Sequence, residues 1–162
     1  QLIDKIRGKI PDVTLRTSLI VGFPGETREQ FQELYDFVEK TKFDKLGVFQ
    51  YSKEDGTPAE KLPEQIHHAT KKSRYNKIMQ LQQEISNELM SKKVGKTVDV
   101  LIEDTTFDEK FLVGRTRQDV PDIDGVIYIK NETQMDKKRT INTFVKCKVI
   151  DYSEYDLYGE LL

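Results

Sequence analysis

Between residues 13 and 27 the chain runs through Val13-Thr14-Leu15-Arg16-Thr17-Ser18-Leu19-Ile20-Val21 into Gly22-Phe23-Pro24-Gly25-Glu26-Thr27. The first nine residues are rich in β-branched and apolar side chains and read as a strand, which Gly22 and Pro24 end. Its nearly continuous apolar character predicts a buried strand, the habit of parallel sheets covered on both faces. Thr27-Arg28-Glu29-Gln30 has the capping-box pattern, in which Thr and Gln side chains satisfy orphan backbone donors at a helix start. Phe31, Leu34 and Val38 then share one helical face, with Tyr35 beside them. Asp44 to Tyr51 reads as a second strand, apolar at Leu46, Val48 and Phe49, with Gly47 permitting close approach. A Gly/Pro-punctuated loop from Ser52 to Pro63 leads to a long helix expected from about Gln65 to Lys92, striped by Tyr75, Ile78, Leu81, Ile85 and Leu89. Strand, short turn, helix, strand, loop, helix is the rhythm of βα units, at home in a parallel sheet or a (β/α) barrel. Two strands complete neither, so neighbouring strands outside this sequence are expected.

The opening Gln1-Leu2-Ile3-Asp4-Lys5-Ile6-Arg7 reads as an amphipathic helix already under way, ended by Gly8 and barred from continuing by Pro11. It has neither an initiating methionine nor an N-cap, and a longer parent protein is expected. After Gly95 the pattern changes to short alternating segments. Thr97 to Ile102, Lys110 to Arg117, Gly125 to Lys130, Asn142 to Ile150 and Asp156 to Leu161 read as five strands, enough for a small closed barrel of OB type. In the fourth, Val145, Cys147 and Val149 fall on one face. The expected organisation is therefore an α/β domain over residues 1–93 followed by an all-β domain over residues 94–162.

Charge divides at that boundary. Residues 94–162 hold 10 Lys+Arg and 14 Asp+Glu, a balance of −4, whereas residues 1–93 hold 16 and 14. An acidic barrel repels phosphate and suits a basic partner. Lys137-Lys138-Arg139 is the one basic run there, expected as a solvated hairpin tip. No apolar run is long enough for a membrane span, so no membrane partner is expected. The single cysteine excludes an internal disulfide and fits a reducing, cytoplasmic setting.

The segment Gly22 to Glu26 lies where parallel α/β proteins bind ligands, at the carboxyl end of a strand, but the same glycines also serve a tight turn that has only geometry to satisfy. Arg16, inside an apolar strand, needs an anionic partner, either a ligand or a structural acid. His67 and His68 are expected to be solvated, with no third or fourth ligand at metal spacing. Cys147 reads as an inert core residue rather than a nucleophile. No catalytic residue and no metal site is expected from the residues themselves.

The stretch from Leu15 to Thr27 resembles the fifth barrel strand and following turn of the radical S-adenosylmethionine methylthiotransferases. The likeness continues through Phe43-Asp44-Lys45-Leu46-Gly47-Val48-Phe49-Gln50-Tyr51-Ser52, Asp55-Gly56-Thr57-Pro58-Ala59, Leu62-Pro63-Glu64-Gln65 and Leu81-Gln82-Gln83-Glu84-Ile85-Ser86. The last 70 or so residues resemble the TRAM domain appended to these enzymes. Gly114-Arg115-Thr116, Asp119-Val120-Pro121-Asp122-Ile123-Asp124-Gly125 and Tyr155-Asp156-Leu157-Tyr158-Gly159-Glu160 are similar to the branch that modifies an aspartate of a small-subunit ribosomal protein. A second branch modifies an adenosine in transfer RNA, and a non-catalytic binding module is a third reading.

The resemblance implies the carboxy-terminal part of a radical S-adenosylmethionine (β/α) barrel followed by a five-stranded OB-like TRAM barrel. It implies two 4Fe-4S clusters and S-adenosylmethionine in the complete enzyme, none bound to these residues alone, and an inactive isolated chain. It places Ile20, Val21 and Gly22 against the adenine of the cofactor, Phe49, Gln50 and Tyr51 beside the same ring, and Arg16 as an anchor for an anionic group. The implied partner is a basic small-subunit ribosomal protein, held by the acidic barrel in preference to RNA.

Overall fold

The capping box forms as its spacing demands. In the computed structural model, which describes residues 2–131 and 140–162, the Thr27 side chain accepts from the Gln30 N–H at 3.2 Å and the Gln30 side chain accepts from the Thr27 N–H at 3.0 Å. Helix α2 (Arg28–Thr41) starts there and joins strand β1 (Arg16–Val21) to strand β2 (Lys45–Gln50). The two strands are parallel, in register from Arg16 opposite Lys45 to Val21 opposite Gln50. Helix α1 (Leu2–Lys9) runs one residue past Gly8. Arg7 donates to the carbonyls of Thr41 and Lys42 at 2.6 and 2.9 Å, a cation at the carboxyl end of α2.

The chain forms two compact units, Gln1–Ile85 and Ser86–Leu162. In the first, Val21, Val48, Phe31 and Ile78 are buried together, with Leu19, Leu46, Leu34, Tyr35, Tyr75 and Met79 packed around them. Ile78 and Tyr75 belong to helix α3 (His68–Ser91). That helix starts later than its periodicity predicts because His67 caps it. The His67 carbonyl accepts from Thr70 and Lys71, and its Nδ1 accepts from the Ala69 N–H at 3.2 Å.

Two expectations need correction here. Strand β1 is not buried on both faces: exposure alternates along it, and only Val21 is fully buried. Arg16 is exposed at the first position of the strand, not enclosed within it. The physical reason is the same for both. The hydrophobic cluster covers the side of the sheet that carries Leu19, Val21, Leu46 and Val48. The alternate positions, Arg16, Ser18 and Ile20 on β1 and Phe49 on β2, point away from it and are exposed. Gly47 also falls short of its expected role, since an added Cβ there would meet only ordinary contacts at 3.7 Å or more.

The second unit is a closed barrel of β3 (Thr97–Thr105), β4 (Phe111–Thr116), β5 (Ile127–Lys130), β6 (Phe144–Tyr152) and β7 (Leu157–Leu161), in the order β3-β4-β5-β7-β6. Every neighbouring pair is antiparallel except β5 and β7, and β6 returns to β3 to close the ring. The five strands expected from alternation are all present. Val100, Ile102, Leu112, Ile127, Ile129, Cys147 and Val149 fill the interior. Closure leaves no long edge to blunt.

Three glycines of the barrel stand where no side chain fits. A Cβ on Gly114 would lie 2.4 Å from the Leu101 carbonyl oxygen, one on Gly159 would lie 2.1 Å from Cys147 Sγ, and one on Gly125 would lie 1.9 Å from the Tyr155 carbonyl oxygen. Each belongs to one of the motifs similar to the branch that modifies a ribosomal protein. Lys137, Lys138 and Arg139 lie outside the described residues.

Cys147 is fully buried, and burial pushes its thiol up to about 11 from an ordinary 9.0. The folded barrel therefore holds the thiol proton more tightly than the unfolded chain does. The stabilisation is complete below pH 9, where both states are protonated. It is lost as pH rises from 9 toward 11, because the unfolded thiol ionises first. The expected loss is about 2 to 3 kcal/mol across that window. Urea unfolding at pH 8 and pH 11, with Cys147→Ala as reference, isolates it from other titrating groups. Native Cys147 is expected to react with aromatic disulfides only on unfolding.

Candidate functional site

The carboxyl ends of β1 and β2 meet at one corner of the first unit. Tyr51 donates its N–H to the Val21 carbonyl at 2.9 Å, extending the pairing one residue beyond the strands. Gly22 follows Val21 with φ at +73°, a left-handed conformation that favours glycine, and Gly25 has φ at +80°. A Cβ on Gly22 would also sit 2.5 Å from Lys71 Cγ. The first glycine therefore serves both the sharp exit from the strand and the passage of a lysine side chain.

Glu26 holds the turn from within. Its Oε2 accepts from the Gly22 N–H at 2.6 Å and from the Phe23 N–H at 3.3 Å, and its Oε1 pairs with Arg74 at 2.7 Å. Arg74 also donates to the carbonyls of Glu26 and Thr27 at 3.0 and 3.2 Å and lies over the Phe31 ring. Both side chains are largely buried, so the pair is charge-assisted and shielded from water. Lys71, one turn earlier on α3, donates to the Tyr51 carbonyl at 2.9 Å and lies 4.8 Å from the Tyr51 ring centroid. The Phe23 ring meets Tyr51 edge-on at 5.1 Å.

The amide donors of Gly22 and Phe23 are occupied by a carboxylate of the chain itself, so the turn is not a vacant anion cradle. What it presents outward is apolar. Ile20 and Phe49 stand opposite each other in register on the uncovered sheet face, 57% and 59% exposed. Val21 is the reverse case, since its side chain lies in the core and only its backbone reaches the corner. Gln50 pairs with Val21, and Tyr51 is half-buried. The structure thus brings Ile20, Val21, Gly22, Phe49, Gln50 and Tyr51 together. It does not bring Arg16, which lies at the amino end of β1, roughly 17 Å along the strand from Val21.

The sequence shows Glu26 only as a member of the turn and gives no direct pointer to Lys71 or Arg74. A signal existed. Lys71, Arg74, Tyr75 and Ile78 continue the apolar stripe of α3 toward its start at spacings of three and four, and a cation on an apolar face needs a partner. His67 and His68 are exposed, and the described residues contain no group of three His, Cys, Asp or Glu able to hold a metal ion.

Residues 94–162 match the TRAM domain family. Over 160 residues, 99% of this chain, the sequence is 62% identical to the ribosomal protein uS12 methylthiotransferase RimO of Alkaliphilus oremlandii, of which it covers 36%. It is 46% identical over 160 residues to the protein of that name from Clostridioides difficile, covering 35% of it. It is 47% identical over 161 residues to that from Desulforamulus reducens, again covering 35%. The chain thus spans about a third of the length of the curated relatives it matches.

Proposed function

We infer that this chain is part of a RimO-type methylthiotransferase: these residues serve in a radical S-adenosylmethionine enzyme that methylthiolates an aspartate of ribosomal protein uS12. The observation that carries the reading is 62% identity sustained over 160 residues, through both compact units. Residues 1–93 are assigned to the catalytic (β/α) barrel, and residues 94–162 to a TRAM barrel of OB type that holds the basic protein substrate. The uncovered sheet face supports the first assignment, because in such barrels alternate strand residues face a lumen completed by other strands. The balance of −4 over residues 94–162 supports the second. A ribosomal substrate supports a cytoplasmic setting, with which a free buried thiol is consistent.

The corner at Ile20 and Phe49 fits the adenosyl part of S-adenosylmethionine. It offers two exposed apolar side chains at strand carboxyl ends, with glycine backbone beside them. In the complete enzyme the cofactor and two 4Fe-4S clusters supply the radical and sulfur-transfer chemistry. The chain's own part is to pack against the adenine through Ile20 and Phe49, to present backbone at Val21, Gly22, Gln50 and Tyr51, and to hold that backbone through Glu26, Lys71 and Arg74. Arg16, remote from this corner, is left to an anionic group of the substrate. Cys147 lies in the barrel interior, so cluster thiolates are assigned to other parts of the enzyme.

The test is the whole reading frame containing these residues, reconstituted anaerobically with iron, sulfide and S-adenosylmethionine and offered uS12 and transfer RNA in parallel. A methylthio mass increment on a uS12 aspartate is the expected result. An increment on a transfer-RNA adenosine instead, or on neither, overturns the reading. The 162-residue chain by itself is expected to show no cluster absorbance and no turnover. Ile20→Asp in the complete enzyme is expected to weaken S-adenosylmethionine binding at least about tenfold by equilibrium dialysis, because a carboxylate would be desolvated against an apolar ring. Unchanged affinity removes Ile20 from the adenine site.

A further inference from the structure

Part of the barrel's acidity is concentrated in two loops. Two adjoining loops, residues 117–126 between β4 and β5 and residues 153–156 between β6 and β7, carry Asp119, Asp122, Asp124, Glu154 and Asp156 against Arg117 alone. Residues 94–162 hold 14 Asp+Glu and 10 Lys+Arg, so everything outside these loops balances at nine of each. These two loops by themselves thus carry a balance of −4. The loops are in contact: Gly125 lies against the Tyr155 carbonyl, and the Val126 N–H donates to Asp156 Oδ1 at 2.8 Å.

The same loops expose apolar side chains. Ile123 is 72% exposed, Tyr155 53% and Val120 39%. These are not frayed ends. The Thr116 hydroxyl donates to Asp119 at 2.6 Å, the Val120 N–H donates to Asp124 at 2.8 Å, and the Asp124 N–H donates back to the Val120 carbonyl at 3.2 Å. An ordered turn that holds an isoleucine out into water between Asp122 and Asp124 has the make-up of a docking surface, an apolar side chain among charged ones.

We propose that this end of the barrel docks a basic polypeptide segment of the protein substrate, with an apolar side chain of that segment packing on Ile123 and its Lys and Arg side chains meeting the loop carboxylates. The proposal rests on the functional reading above and specifies where and how the partner is held. Charge complementarity selects the occupant. An RNA strand would bring its phosphates to the most negative part of the molecule, whereas a basic protein segment is attracted there and has apolar groups to bury.

The test is equilibrium binding of fluorescently labelled uS12 to the 162-residue chain, with a transfer-RNA transcript as competitor. Ile123→Ser leaves the charge unchanged at a solvent-exposed position, and thermal melting checks that the barrel stays folded. It is expected to weaken uS12 binding at least about tenfold, and Ile123→Leu to retain it within about twofold. Asp122→Asn is expected to weaken binding severalfold at low salt and progressively less as salt rises. If the parent chain binds uS12 and Ile123→Ser binds equally well, the surface is wrong while the functional reading stands. If the parent chain binds the transcript and not uS12, the surface is overturned, and the modification assay above then decides the reading independently.

Discussion

Gly125→Ala is expected to destabilise the barrel by about 3 kcal/mol or more, the upper end of what overpacking costs, and to lower its urea midpoint accordingly. The added Cβ would lie 1.9 Å from the Tyr155 carbonyl oxygen and 2.6 Å from its carbonyl carbon. These are backbone atoms, so no rotamer change relieves the clash. Relief requires the 153–156 loop to move away from β5, which strains the bonds from Val126 to Asp156 and from Leu157 to Val126. Gly159→Ala has a softer obstacle, Cys147 Sγ at 2.1 Å, and is expected to cost less than Gly125→Ala but to be rescued in part by Cys147→Ala. Gly8→Ala is the control, because nothing lies within 4 Å of a Cβ there, and it is expected to leave stability unchanged or slightly raised. A Gly125→Ala barrel as stable as the parent would show that the loop contact does not constrain the fold.

Arg74→Met is expected to destabilise the first unit by about 3 to 5 kcal/mol, the cost of leaving a buried charge without its partner. Glu26 would keep its two backbone donors but lose the guanidinium at 2.7 Å, the Glu26 carbonyl would lose the Arg74 donor, and the Thr27 carbonyl would keep only the Phe31 N–H at 3.2 Å. Glu26→Gln is expected to be destabilising for the converse reason. The double variant is expected to be less destabilised than the two single changes added together, since it removes both charges. Additive effects in that cycle would show that Glu26 and Arg74 act separately. Because Glu26 also grips the Gly22 and Phe23 amides, loosening this pair is expected to raise hydrogen-exchange rates at the turn before it unfolds the helices.

How much of this could be read from residue order follows from the range of the interactions. The α2 capping box spans four residues and was legible to the hydrogen bond, as were the inward positions of Val145, Cys147 and Val149. The five barrel strands were legible because each turns on local alternation, although their ends moved by a few residues. The carboxyl-end turn was legible as a place but not as a mechanism. Its holders, Lys71 and Arg74, lie more than 40 residues beyond it in the sequence. The error at β1 had a different source. An apolar run reports that a strand has partners on both sides, not whether those partners are among the residues at hand.

Residue order by itself determined the βα rhythm, the change to alternating strands after Gly95, the acidity of the barrel region and the places where glycine was used. These follow from local periodicity, backbone sterics and charge counts, none of which requires knowing what lies across the fold. Tertiary structure alone decided that Glu26 fills the donors of its own turn, that Ile20 and Phe49 are the side chains left facing outward, and that two acidic loops of the barrel meet, one of them holding Ile123 out to solvent. Each depends on which distant segments pack together, and a linear sequence does not record that proximity.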